Sequence, residues 1–160
     1  MLCIKTSEVI ADIKSAAWLE SELHPELDRH RRHEMADICE KDNIEKVWRI
    51  MGLAEAEIRI ALVRVVQQQK CFSHANILSR PGKILFRLLH SLPSATVSFI
   101  REKIHEYMVA AVMADRCEVI IRQAAPVWRE RAGAALAALR QTAIAAPLPS
   151  GPVRRPLWPL

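Results

Sequence analysis

Apolar residues recur at alternating three- and four-residue steps between Ser94 and Ala146, which is the longest helical pattern in the chain. Such steps form the a/d seam of a heptad repeat. Because Glu118 interrupts the seam, two interpretations stay open: a helix buried in a globular core, and a two-stranded coiled coil. Pro126 lacks an amide hydrogen and clashes with the preceding turn, so we expect a kink or a restart near Ala124. The seam consists of Val97, Ile100, Ile104, Tyr107, Ala111, Ala114, Ile121, Ala125, Trp128, Ala132, Ala135 and Leu139.

Shorter helical patterns fill the rest of the chain, separated by proline, glycine and polar turns. We predict helices over residues 7–24, 26–40, 42–52, 54–69 and 84–92, the third ending at Gly52 in a left-handed position. Within the nearly all-apolar fourth helix, Leu62 and Val65 are predicted core residues. The first helix shows one apolar face, which consists of Val9, Ile10, Ile13, Ala16, Ala17 and Leu23.

Composition favours helices over sheets. The chain has only four glycines among 160 residues and few hairpin signals, and no second strand is evident that would pair with the Ile-Arg-Ile alternation at residues 58–60. After Ala146, prolines become frequent, which is typical of a disordered tail. We therefore predict an all-α, five- to six-helix bundle over residues 1–146, with one long, Pro-kinked C-terminal helix, and a disordered, Pro-rich flexible tail over residues 147–160.

Charge and cysteine usage indicate the compartment and the kind of partner. The formal net charge is +5, with an acidic first third and a basic remainder, a layout that steers partners or lets copies associate. Four widely spaced cysteines without a Cys-x-x-Cys pair suggest a reducing cytoplasm and buried thiols.

No apolar run reaches the 20 or so residues that a bilayer requires, so no membrane span is expected. Heavy use of Ala and Arg is typical of bacterial genes rich in G and C.

A metal-binding interpretation depends on histidines and carboxylates at helical spacing. Glu26, His30, His33 and Asp37 follow one another at steps of four, three and four residues, which places them on one helix face. Glu102 and His105 form a Glu-x-x-His pair, of which a di-iron bundle needs two. For His30 and His33 the competing interpretation is a solvated face beside several arginines, with Glu26 and Asp37 in charge pairs four residues apart. A helical-bundle metal-binding protein is therefore the second alternative.

Nucleic-acid binding is the first alternative. The middle of the chain carries six basic residues that could contact phosphates. The loop from residue 67 to 83 is too long for a helix-turn-helix, and the basic segment as a whole lacks stacking aromatics apart from Phe72 and Phe86. The competing interpretation is a solvated rim around a core helix. These basic residues are Arg59, Arg64, Lys70, Arg80, Lys83 and Arg87.

The remaining interpretation, which we favour, is a non-enzymatic helical interaction protein: an adaptor, chaperone-like or scaffold subunit of a larger assembly. No nucleophile elbow, Ser-x-x-Lys pair or phosphate loop occurs, and no cofactor is expected. Partners are expected to be proteins, the chain itself as a homo-oligomer included. Trp158, with Arg154 and Arg155 nearby, is the predicted docking element of the tail, because tryptophan is enriched at interface hot spots. The competing interpretation is a tail tryptophan that packs onto its own domain.

Overall fold

The computed structural model describes residues 1–40, 43–66, 82–88 and 92–146. Five helices and two short strands make up this part of the chain, so the predicted, mostly helical fold is confirmed. In chain order the elements are β1 (Leu2–Lys5), α1 (Thr6–Leu23), α2 (Arg29–Ala36), α3 (Ile44–Ala61), β2 (Lys83–Phe86), α4 (Ser94–Ile120) and α5 (Ala125–Ala145). None of the described helices is both long enough and apolar enough to cross a membrane.

Helices α4 and α5 form an antiparallel hairpin, so the restart expected near Ala124 is found and the single long, kinked helix is not. The chain leaves the helical conformation after Ile120, and α5 restarts at Ala125 with Pro126 in its first turn, where a missing amide hydrogen breaks no helical bond. An ion pair between Glu118 and Arg129 lies beside the connection. Most seam positions, among them Ile100, Ile104, Trp128, Ala135 and Leu139, are buried in the core of the same chain.

Helix α1 follows its predicted apolar face except at one end. Val9, Ile13 and Ala17 are fully buried, whereas Leu23 is 70% exposed, so its predicted place in the core is wrong. The second predicted helix shortens to α2, because Asp28 accepts a hydrogen bond from the amide of Arg31 at 2.8 Å and thereby caps the helix two residues after Glu26.

Helix α3 joins two predicted helices into one. Gly52 continues the helix and does not adopt the left-handed conformation that was expected of it. The helix ends at Ala61, short of the predicted residue 69. Leu62 and Val65 follow in a turn with 0% and 1% exposure, which confirms them as core residues.

The two strands pair antiparallel, and the sequence did not predict them. Leu2 lies opposite Phe86 and Ile4 opposite Ile84, and these four side chains are buried while those of Cys3, Lys5, Lys83 and Leu85 point to the outer face. The helix predicted over residues 84–92 is therefore wrong at residues 84–86, which belong to β2. An isolated antiparallel bridge between Val66 and Leu88 follows.

Candidate interaction surfaces

Three large apolar side chains lie on the outside of the last two turns of α1. Trp18 is 56% exposed, Leu19 is 52% exposed and Leu23 is 70% exposed. Leu19 and Leu23 are four residues apart and share one helix face, whereas Trp18 points about 100° away from Leu19 round the same helix end. We call these three residues the α1 patch. They lie away from the buried face of α1, so their side chains do not pack in the core of this chain.

Polar contacts beneath the α1 patch fix this end of α1 to the rest of the fold. The indole Nε1 of Trp128 on α5 donates a hydrogen bond to Glu20 Oε1 at 2.8 Å. Glu20 Oε2 also lies 3.5 Å from His24 Nε2, and both side chains are largely buried. The patch therefore lies on a helix end that α5 holds in place, which makes it a preformed surface.

Acidic groups surround the α1 patch. Glu22 and Glu26 are exposed, and His24 Nδ1 lies 2.7 Å from Glu26 Oε1. A backbone hydrogen bond, followed by the bond to His24, lowers the pKa of Glu26 from its ordinary value. Glu26 therefore stays ionised at neutral pH. On the other side, the guanidinium of Arg131 lies 4.8 Å from the ring centre of Trp128, so charges of both signs lie near this helix end.

The small sheet has two outer edges, and a side chain of α3 bonds to the outward carbonyl of Leu85 on the β2 edge. Arg59 on α3 donates from Nη2 to the carbonyl oxygen of Leu85 at 3.0 Å, and its guanidinium carbon lies 4.8 Å from the ring centre of Phe86. Glu55 holds the same guanidinium through bonds of 2.7 and 2.9 Å. The carbonyl oxygen of Leu85, which points outward from β2, therefore already accepts a hydrogen bond from Arg59.

The edge of β1 opens into a cleft instead. A cleft of about 230 Å³ lies between β1 and the exposed side of α4. Of the two described strands, only β1 contributes residues to the lining of this cleft. The amide of Thr6 donates to the carbonyl of Gly82, which continues the ladder of the sheet. We call this space the β1–α4 cleft. It is lined by Cys3, Ile4, Lys5, Glu8, Ser98, Arg101, Glu102 and His105.

The predicted Glu102–His105 pair lies in the β1–α4 cleft, but its histidine binds elsewhere. His105 Nε2 lies 2.7 Å from Asp12 Oδ2 on α1, so this contact ties α1 to α4. Lys5 pairs with Glu8 at 2.7 Å in the same cleft. Among the residues that the structure describes, no group of three or more histidine, cysteine or acidic side chains is arranged to hold a metal ion.

The four residues of the other predicted metal set do not share one helix face. Glu26 precedes α2 and bonds to His24, while His30 is exposed within α2. His33 Nε2 lies 3.2 Å from Asp37 Oδ2 at the end of the helix. The geometry is that of separate surface charge pairs, because the helix begins too late to include Glu26.

The predicted basic residues divide into three groups. Arg59 is committed to Glu55 and to the sheet edge, so it is not free to contact phosphate. Arg64, Lys83 and Arg87 are exposed. Lys70 and Arg80 lie outside the described residues, as do the predicted tail residues Arg154, Arg155 and Trp158.

Two of the cysteines are buried thiols, as predicted. Burial raises the pKa of Cys39 to about 11 and that of Cys117 to about 12, so both are protonated and unreactive at neutral pH. Cys3 is half-buried at the β1–α4 cleft. Cys71 lies outside the described residues.

Sequence reasoning missed both the α1 patch and the open strand edge. The signal for the patch was present: Trp18 and Leu19 fall outside the stripe defined by Val9, Ile13 and Ala17. The strand edge had no such signal, because it depends on a pairing between residues about 80 positions apart. Comparisons of the chain with protein-family models, with curated proteins and with solved structures gave no match.

Proposed function

We propose that this chain is a non-enzymatic helical interaction protein, an adaptor, chaperone-like or scaffold subunit of a larger protein assembly, and that it contacts its partner through the α1 patch. The observation that carries the proposal is the exposure of Trp18, Leu19 and Leu23 on one preformed helix end. A solvent-exposed tryptophan beside two leucines loses water-exposed apolar area when a partner covers it, which stabilises a complex.

The chemistry of the patch specifies the partner further. Tryptophan is enriched at interface hot spots, and a ring of less critical contacts around it excludes water. The exposed carboxylates of Glu22 and Glu26 supply a polar rim of negative charge. The proposed partner surface is therefore apolar at its centre and basic at its rim, as on one face of a basic amphipathic helix.

The heptad seam does not compete for this role. Most of its residues are buried between elements of the same chain, so association of copies through the whole seam would require the α4–α5 hairpin to open. The α1 patch, by contrast, is available without any rearrangement of the core.

The test compares capture of partners from the native host by three tagged proteins: wild type, a Trp18→Ser/Leu23→Ser variant and a Leu53→Ser control. Leu53 is 63% exposed on α3, so the control removes a similar apolar side chain from another surface. We expect the patch variant to lose its specific partners at an unchanged melting temperature, and the control to retain them. Equal capture by all three proteins would contradict the proposal.

A further inference from the structure

The hydrogen-bond pattern of the sheet shows which backbone groups of β1 face outward. In an antiparallel pair, directly opposed residues alternate between those that exchange backbone hydrogen bonds and those that do not. Thr6 and Gly82 are opposed and bonded, since the amide of Thr6 donates to the carbonyl of Gly82. Counting back along β1, Ile4 and Leu2 bond to β2, and the backbone groups of Cys3 and Lys5 point away from it.

The contact at Arg59 supports this assignment independently. The same alternation makes Leu85, opposite Cys3, a residue whose carbonyl points away from β1. Arg59 Nη2 reaches that carbonyl at 3.0 Å from the other side. Cys3, as the opposed residue, therefore directs its own amide and carbonyl outward on the β1 side.

Within the described part of the chain, no backbone hydrogen bond joins the outward groups of Cys3 to another residue. These groups border the β1–α4 cleft. An outward row of amide and carbonyl groups is a template for another extended chain, which would bond to it as a new strand. Extension would add backbone hydrogen bonds to a two-stranded sheet that is otherwise stabilised by packing of its apolar face in the helical core.

We propose that β1 pairs with β1 of a second copy of this chain, antiparallel about a two-fold axis at Ile4, so that two sheets become one four-stranded sheet. In this register Cys3 of each copy exchanges two backbone hydrogen bonds with Lys5 of the other copy. The two symmetric pairs give about four bonds in total. The register pairing Lys5 with Lys5 is disfavoured, since it opposes like charges.

Charge around the edge is complementary to itself. Lys5 pairs with Glu8 within one copy, and Arg101 and Glu102 place one charge of each sign farther along the same cleft. A two-fold axis brings the same surface of both copies together, so a rim with both signs can pair with its own image. A foreign strand of one charge sign gains no comparable match.

Proline at position 3 tests the pairing without breaking the sheet. Cys3→Pro removes an outward amide that β2 does not use, and such outward positions of edge strands accept proline. Cys3→Val is the matched control, because it removes the thiol and keeps the amide. Light scattering over a concentration series to about 0.5 mM suits an interface of this small size. We expect wild type and Cys3→Val to dimerise, and the dissociation constant of Cys3→Pro to rise roughly tenfold or more.

A disulfide cross-link tests the β1–β1 pairing even if the Cys3→Pro variant fails to fold. Opposed, bonded residues have Cα atoms about 5.5 Å apart, which suits a disulfide. With oxidised glutathione as oxidant, Lys5→Cys should give a covalent dimer whose linked peptides contain positions 3 and 5, and Cys3→Ser/Lys5→Cys should not. A monomer at every concentration, or a dimer that Cys3→Pro leaves intact, would overturn the proposal. Neither result bears on the α1 patch, whose variants are different.

Discussion

Replacing Arg59 with methionine tests whether this residue closes the outer edge of β2. The change removes a charged donor from the carbonyl of Leu85 and from Glu55, and a cation from the face of the fully buried Phe86 ring. Methionine keeps most of the aliphatic stem, so the packing beside Phe86 is largely retained. The perturbation is therefore mainly polar.

Opposing contributions decide its magnitude. A hydrogen bond from a charged group contributes about 1.5–3 kcal/mol, and a cation over an aromatic ring about 0.5–2 kcal/mol. Against these, Nη1 of Arg59 is buried without an acceptor among the described residues, and removing it recovers about 1–3 kcal/mol. At their midpoints these contributions leave a net loss of about 1.5 kcal/mol in the free energy of unfolding, or a melting temperature lower by roughly 3–6 °C.

Urea unfolding followed by circular dichroism measures this loss. Arg64→Met is the matched control, because Arg64 is an exposed arginine five residues away and its loss should cost less than about 0.5 kcal/mol. Adding Glu55→Gln to Arg59→Met should restore part of the stability, since it removes the carboxylate left without its partner. An Arg59→Met protein as stable as wild type, or a control equally destabilised, would refute the assignment of Arg59 to the sheet edge.

Three further predictions concern the core. Leu62→Asp should unfold the protein because Leu62 has no exposure, whereas Val63→Asp, at a residue 44% exposed, should melt close to wild type; equal helical signals from both would contradict the packing. Burial, then the bond to Glu57, raises the pKa of Tyr107, the single tyrosine, so absorbance at 295 nm should show no phenolate near pH 10 in the folded protein. Tyr107 ionises at a lower pH in the unfolded chain than in the folded protein, so the free energy of unfolding should fall as pH rises above about 10. Ionisation of Tyr107 at pH 10 in the folded protein, with unchanged stability, would contradict this prediction. Cys39 and Cys117 should resist iodoacetamide at pH 8 and react once urea unfolds the protein, as peptide mass spectrometry can determine.

Local periodicity was enough to predict the long helices. The steps from Val97 to Leu139 correspond to α4 and α5, and the buried residues of α1 follow the predicted face from Val9 to Ala17. Periodicity did not distinguish one bent helix from a hairpin. The heptad seam fits a helix packed on itself as well as one packed on a copy, and the distinction depends on the chain leaving the helix at Ile121.

The strands were beyond local reasoning. Leu2–Lys5 and Lys83–Phe86 are four residues each, and short apolar runs suit either a helix or a strand. Their pairing is stabilised by burial of Leu2, Ile4, Ile84 and Phe86 together, which sequence separation conceals. Gly52 was also misassigned, because glycine often ends a helix but is tolerated inside one whose neighbours pack well.

The candidate site was harder to predict than the fold. Histidine and carboxylate spacing suggested metal ligands, yet the structure uses His105 to join α1 to α4 through Asp12. Arg59 was grouped with phosphate-binding residues, although its partners Glu55 and Leu85 are within the protein. Both errors have one cause: a charged residue's partner is often remote in sequence, so its type and spacing do not reveal whether it is already paired.

Site-specific photo-crosslinking tests the proposed function most directly. Benzoylphenylalanine at position 23, within the α1 patch, and at position 53, on α3, would be compared in the native host, because the native residues at both sites are exposed leucines. We predict a discrete cross-linked protein at position 23 that is lost when Trp18 is also changed to serine, and none at position 53. Cross-links that are absent at position 23, or the same at both positions, would contradict the assignment of partner binding to the α1 patch.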